Sequence, residues 1–347
     1  MIDLRSDTLT RPTAAMRHAM AEAEVGDDVF GEDPTVRTLE EETAELLGTE
    51  AAMYVPSGHM ANQLGLYIAT LSGQEVWAHE QHHLIGSEQA AAAVLSRVQP
   101  RLYSGDPWPS NTLLRDWHAR AQGDVHHAEP GLVWSENTFS GLVVPLSEQR
   151  RVTAFARAHG MRSHLDGARL WNAAAALGVP HAQVAEGFDS VSVCFSKGLG
   201  APVGSALAGD AETIRRARRG RKLLGGGMRQ AGIIAAGALY ALRHHRDRVV
   251  EDHARAATLA ERISGLPGIT ARARTNMVLV ETPAGEAEEY AKAFARHGIR
   301  ALGSGDWVRL VVHLDITDRD IEEAARSIAE AVTDLGCAPH SVVTSSV

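Results

Sequence analysis

The stretch Val191-Ser192-Val193-Cys194-Phe195-Ser196-Lys197-Gly198-Leu199-Gly200 joins a mainly apolar run of strand length to a lysine set among glycines. A run this short and this apolar reads as a strand buried on both faces, as in parallel sheets. Lys197 then stands where the strand ends, an unusual place for a merely solvated charge. Desolvation favours the neutral amine of a lysine, and a neutral amine can attack an aldehyde to form an imine.

Outward from this stretch the same grammar repeats. Short apolar runs at 51–55, 75–78, 132–135, 162–165 and 205–208 alternate with amphipathic segments at 60–71, 147–159 and 169–177. The alternation predicts an α/β fold with a mainly parallel sheet between helices. Asp33-Pro34 reads as an N-cap followed by proline at the first helical position, opening a helix that ends near Gly48. Beyond a long helical region at 232–263, strands at 277–281 and 308–313 bracket a helix at 286–297, and a last helix starts near Thr317. The expected division is a large domain over 1–250 that includes the N-terminal segment, a small C-terminal α/β domain over 251–338, and a loose tail at 339–347.

Composition narrows the class. With 347 residues, 44% of them apolar, the chain can bury a sizeable core. A net charge of −9 argues against nucleic acid as a general partner, since phosphate binding needs a basic surface. Cys194 and Cys337 are too few for a disulfide framework and suit a reducing cytosol. The opening MIDLRSDT lacks a signal-peptide pattern, and no apolar run approaches the roughly 20 residues of a membrane helix. The expectation is a globular cytoplasmic protein with neither nucleic acid nor membrane as partner.

In open parallel sheets, ligands sit at the carboxyl ends of strands. Pro56-Ser57-Gly58-His59-Met60-Ala61-Asn62 is either a tight strand-to-helix turn or an anion site made by free amides at a helix N-terminus. In Ser163-His164-Leu165-Asp166-Gly167-Ala168-Arg169, the aspartate is either an N-cap or a carboxylate that keeps a pyridine nitrogen protonated. The basic run 215–219 reads as a solvated helix face. Lys222 and Arg229, flanking Gly225-Gly226-Gly227, instead present cations on a turned loop to a phosphate or carboxylate.

Taken together, the motifs LRSDTLTRPT, EVGDDVFGEDPTV, VPSGHMANQ, HLDGARLWNA, FSKGLGAPVGS, RKLLGGGMRQAG and RLVVHLD resemble those of the low-specificity L-threonine aldolases, in the threonine aldolase and beta-eliminating lyase group of pyridoxal-phosphate enzymes. The resemblance runs from about Leu4 to about Asp315. It implies the aspartate-aminotransferase-like fold type I, with a mainly parallel seven-stranded sheet, and pyridoxal 5'-phosphate as cofactor with no metal. Lys197 is implied as the Schiff-base lysine, Asp166 as partner of the ring nitrogen, and Gly58, His59 and Met60 as the phosphate cradle. His83 would stack on the cofactor ring; composition alone makes it a surface histidine. Ser6, Arg169 and Arg309 match positions that hold the substrate carboxylate, Arg169 lying against the cofactor as well. Without the resemblance, Arg309 is equally an exposed strand residue. His126 matches a histidine near the β-hydroxyl, and Lys222 and Arg229 match cations near the active site, sometimes supplied by a neighbouring subunit.

The implied reaction is retro-aldol cleavage of L-threonine or L-allo-threonine, or of bulkier β-hydroxy-α-amino acids, to glycine and an aldehyde, in a homotetramer with shared sites. His83, His126 or a water is the base for the β-hydroxyl. His59 replaces the usual threonine, Phe139-Ser140 replaces His-Asn after Glu136-Asn137-Thr138, and Ser87 replaces an aromatic residue. These departures bear on substrate range: Ser87 predicts spare room at the methyl end, which Phe139 partly fills. The rival readings are another activity of the same fold type (an aryl-serine aldolase, a β-eliminating lyase or an aminotransferase) and a non-catalytic cofactor-binding protein.

Overall fold

The short apolar runs pair into sheets in the computed structural model, which describes residues 1–337; the tail assigned to 339–347 lies outside them. In chain order the strands are β1 (Ile2–Asp3), β2 (Ala51–Val55), β3 (Glu75–His79), β4 (Gln99–Tyr103), β5 (Pro130–Glu136), β6 (Arg162–Gly167), β7 (Ser190–Cys194), β8 (Ser205–Gly209), β9 (Thr270–Arg274), β10 (Met277–Glu281), β11 (Ile299–Arg300), β12 (Leu302–Ser304) and β13 (Trp307–Val311).

Residues 11–247 form the larger of two compact units. Its sheet has seven strands in the order β2-β8-β7-β6-β5-β3-β4. Strands β7, β6, β5, β3 and β4 run parallel, and β8 lies antiparallel between β2 and β7. The expected mainly parallel seven-stranded sheet is therefore present. Its central strands are buried because both faces are covered. Val76, Ala78, Leu132 and Trp134 join one core cluster, while the alternate residues Trp77 and Val133 join another. That alternation is the period of two of a strand.

Edge strand β4 escapes sequence reading. Its sequence QPRLY is largely exposed and carries Pro100, which an edge tolerates because a missing N–H there breaks no central ladder.

Residues 1–10 and 248 onward form the smaller unit. It contains an antiparallel sheet in the order β12-β13-β10-β9. Strand β9 gives no apolar run, since its sequence TARAR has only alanines to bury. The division placed at 250, with the N-terminal segment in the large domain, differs from this in the first ten residues. Strand β1 pairs in parallel with β11, and Leu4 is buried in the same core as Leu259 and Val278. The single long helical region expected at 232–263 is two helices, Gly232–His244 and Val249–Ile263.

The helix Pro34–Leu47 shows how one residue fixes several segments. Asp33 caps it by accepting from the Val36 amide at 3.0 Å, and Gly48 closes it in the left-handed conformation (φ 64°). The other oxygen of Asp33 accepts from the amides of Gly232 at 2.8 Å and Gly26 at 3.3 Å. Asp33→Ala leaves the cap open and buried amides unpaired, an expected cost of about 2–3 kcal/mol. A lowered urea midpoint checks this; an unchanged midpoint would show that water replaces the carboxylate.

Candidate active site

Because β5, β6 and β7 are adjacent and parallel, their carboxyl ends open on one edge of the sheet. Glu136 lies opposite Asp166 in register, and Asp166 opposite Ser192. The helix Gly58–Ala69 starts at the same edge, capped by Ser57. These elements enclose a cavity of about 310 Å³ lined by Gly58, His59, Asn62, His83, Glu136, Asp166, Arg169 and Lys197, among others. Its size is at the lower end of small-molecule sites. The glycine at 58 is a packing requirement, since a Cβ there would lie 2.7 Å from the Cys194 sulfur. Only a residue without a side chain lets the helix N-terminus approach the strand end that delivers Lys197.

Beneath the cavity runs a buried polar network. Asp166 accepts from the Asn62 side-chain amide at 2.7 Å and from the Ala168 backbone amide at 3.0 Å. The same Asn62 nitrogen donates to Glu88 at 2.8 Å, and Asn62 Oδ1 accepts from the Ser192 hydroxyl at 2.6 Å. Glu88 also accepts from Gln63 at 2.6 Å and lies 2.8 Å from His83 Nδ1. Histidine 59 brings Nε2 within 3.8 Å of the same carboxylate. The sequence reading passed over Glu88 and gave Asn62 and Glu136 no role. His83, Glu88 and Asp166 have donor atoms within 4.8 Å of one another, but the hydrogen bonds just described join them to each other and to Asn62.

The carboxylates around His83 are driven in opposite directions. Burial raises Glu136 from 4.5 to about 8, with the nearby Asp166 charge adding to it. Burial would raise Glu88 too, but hydrogen bonds from His83, Asn62 and Gln63 outweigh it and hold Glu88 below its ordinary value. The bond to Glu88 in turn raises His83, against desolvation. One carboxyl is thus disposed to be neutral while another stays ionised, a separation that distinguishes acid from base.

Of the predicted site residues, Lys197, Asp166, His83, Arg169, Gly58 and His59 line this cavity. Several others do not. The Met60 amide donates to Ser57 Oγ at 3.2 Å, so it belongs to the helix cap rather than to an anion cradle. His126 is exposed in a turn ahead of β5, at the amino end of a strand whose carboxyl end bears the cavity, and its amide donates to Asp124 at 2.9 Å. Lys222 lines a second cavity of about 600 Å³ with Asp28, Arg37, Arg218 and Arg219. Arg229 pairs with Asp27 at 3.0 Å.

Ser6 and Arg309 belong to the smaller unit. There Ser6 caps the turn Asp7–Leu9, and Arg309 donates to the Arg5 carbonyl at 3.3 Å, which sets it beside the segment carrying Ser6. Ser87 is exposed at the end of the helix His83–Gly86 and does not line the cavity. Phe139 is buried edge-on against His79 (4.8 Å) and His82 (5.7 Å). Neither shapes the cavity wall, which corrects the reading of both as determinants of spare room.

The donor set fits pyridoxal phosphate: an amine for its aldehyde, a buried carboxylate for its ring nitrogen, and a helix N-terminus, kept open by Gly58, for its phosphate. Similarity points the same way. The residue pattern of the Beta-eliminating lyase family matches residues 3–284. The low specificity L-threonine aldolase of Escherichia coli (strain K12) is 42% identical over 330 residues, covering 94% of this chain and 97% of its own. The probable low-specificity L-threonine aldolase 2 of Arabidopsis thaliana is 40% identical over 334 residues, covering 92% and 94%. Among solved structures, the Leishmania major threonine aldolase superposes with a TM-score of 0.82 at 17% identity, covering 96% of this chain and all (100%) of that one, a likeness of fold.

Glu136→Gln tests the electrostatics. A folded-state value above that of the unfolded chain means that the unfolded state holds fewer protons between 4.5 and about 8, so this group's contribution to stability falls as pH rises through that window. The variant is expected to gain melting temperature relative to the parent protein between about pH 5 and pH 8, with no gain near pH 4. Parallel pH profiles for the two proteins would refute the shift.

Proposed function

The chain belongs to the beta-eliminating lyase family, and on that premise we propose that it is a pyridoxal-phosphate-dependent aldolase cleaving L-threonine and L-allo-threonine to glycine and acetaldehyde. The observation that carries this reading is the meeting of Lys197, Asp166, Arg169 and His83 at one cavity. A protein that only held the cofactor would have no use for an arginine and a histidine placed beside the lysine.

When bound, pyridoxal phosphate supplies an aldehyde for an amine and a ring into which negative charge at Cα spreads. The chain's residues do the rest. Lys197 would hold the cofactor through its side-chain amine. Asp166, its orientation set by Asn62 and the Ala168 amide, would favour a proton on the ring nitrogen. The amides of Gly58 and His59, in the first turn of their helix, would hold the phosphate. Arg169 grips the substrate carboxylate, and a fixed carboxylate fixes rotation about Cα–N, which selects the bond that breaks.

His83 has Nδ1 engaged by Glu88, so Nε2 is the nitrogen left to take the β-hydroxyl proton. His126 acts on the substrate only if another copy of the chain delivers it.

Lys222 and Arg229 we assign to a neighbouring copy's site, within a homotetramer of paired dimers. Support comes from Lys222, which is exposed at a cavity that lacks Lys197. A cytoplasmic setting suits the buried free thiol of Cys194. Among the described residues no helix is long and apolar enough to cross a membrane.

Incubation with L-threonine and with L-allo-threonine should release glycine and acetaldehyde, and borohydride should fix the cofactor at Lys197. A 2-oxo acid without glycine would identify a transaminase or an eliminating lyase instead. Asp166→Asn removes a charge-assisted contact worth about 2.7 kcal/mol and should lower kcat about 100-fold. Site sharing has its own test. Lys197→Ala and Lys222→Ala should each be nearly inactive, and mixing them under subunit exchange should restore part of the activity. No recovery in verified mixed oligomers would place Lys222 outside the shared site.

A further inference from the structure

Glu88 follows the helix His83–Gly86, fully buried and directly ahead of Gln89 and Ala90, which both adopt positive φ (54° and 58°). Residues with side chains avoid that conformation. The chain thus holds an unfavourable turn at the point where a carboxylate enters the core. The carboxylate there is fully engaged. One oxygen lies 2.8 Å from both His83 Nδ1 and Asn62 Nδ2, and the other accepts from Gln63 at 2.6 Å.

The role of Asn62 follows from its atoms. A side-chain amide has two N–H donors and one oxygen. Here the donors go to Asp166 and Glu88, and the oxygen accepts from Ser192. Turning the amide over would break all of these bonds. One asparagine therefore spaces two carboxylates at a fixed separation, and the second carboxylate holds the imidazole.

We propose that Glu88 is the positioning residue of the site: it holds His83 by Nδ1 and, through the Asn62 amide, steadies Asp166, so that the base and the ring-nitrogen partner are set as one unit. Glu88 lines no part of the cavity and touches no reacting atom; it acts through His83 and Asn62. For turnover this role rests on the aldolase reading, whereas the tautomer of His83 does not depend on it.

The ionisable groups facing His83 are Glu88, Asp166 and Lys197, with Glu136 accepting its backbone amide at 3.0 Å and His59 near the far oxygen of Glu88. Of these, Glu88 alone bonds the ring.

The test is NMR on the full-length holoenzyme with isotope-labelled histidine, the His83 signals being assigned by their loss in His83→Asn. In the parent protein the neutral form of His83 should carry its proton on Nδ1, because Glu88 accepts it. An Nε2–H tautomer would overturn the proposal without any Glu88 variant. In Glu88→Gln the acceptor oxygen survives but the charge does not. The His83 titration midpoint should then fall by roughly one unit or more, and the acidic limb of the kcat/KM profile should move down with it. A folded Glu88→Gln protein with an unmoved midpoint and limb would reduce Glu88 to a structural residue. If the parent protein releases no glycine from threonine, the aldolase reading fails and the NMR outcome still decides the place of Glu88.

Discussion

The site depends on one constraint: β5, β6 and β7 are adjacent, parallel and in register, so their carboxyl ends share an edge. Parallel neighbours require crossover connections, and those crossovers put helices on both faces of the sheet. The strands are consequently buried along nearly their whole length. Glu136 and Asp166 stand at or near the carboxyl ends of their strands and Lys197 just beyond one, so these three have one place to meet. The antiparallel β8 lies beyond β7 and leaves this arrangement intact.

Such convergence brings carboxyl groups close together in a poorly solvated place, where unpaired charge is costly. The chain answers in two ways. Glu88 and Asp166 receive fixed donors, with a single asparagine serving both. Glu136 accepts from the His83 amide, and burial still pushes it toward its neutral form. Burial alone would raise Glu88 and Glu136 alike; the hydrogen bonds from His83, Asn62 and Gln63 hold Glu88 down. Similar economy governs the backbone at Gly58, where removing one carbon lets a helix N-terminus and a strand end approach.

The cations predicted near the reaction divide between places. Arg169 is carried by the turn after β6 and reaches the cavity directly. Lys222 lies in the helix Ala211–Leu223, beside Arg221, whose guanidinium is buried against Asp28 at 2.7 Å. That ion pair fixes the end of the helix within the fold, while Lys222 one residue on stays exposed. A buried pair of this kind specifies geometry more than it adds stability, and here it decides which way the neighbouring lysine is offered.

By itself the sequence determined what is local. Apolar runs of strand length, the Asp33-Pro34 cap, the lysine after Phe195 and the aspartate after Leu165 are all readable within a window of about ten residues, because strand and cap preferences act at that range. Its motifs also carried the family and, with it, the cofactor. What the tertiary structure alone decided is non-local. Glu88 has an unremarkable sequence setting, and its importance comes from partners 25 and 26 residues away. His126 looks like a site histidine in sequence, yet it precedes the strand whose far end reaches the cavity. Residues 1–10 precede the large sheet in the chain but fold with residues 248 onward, since β1 finds its hydrogen-bonding partner in β11. Strand register and sheet order set these relations, and both arise from pairings between distant segments, which no local window contains.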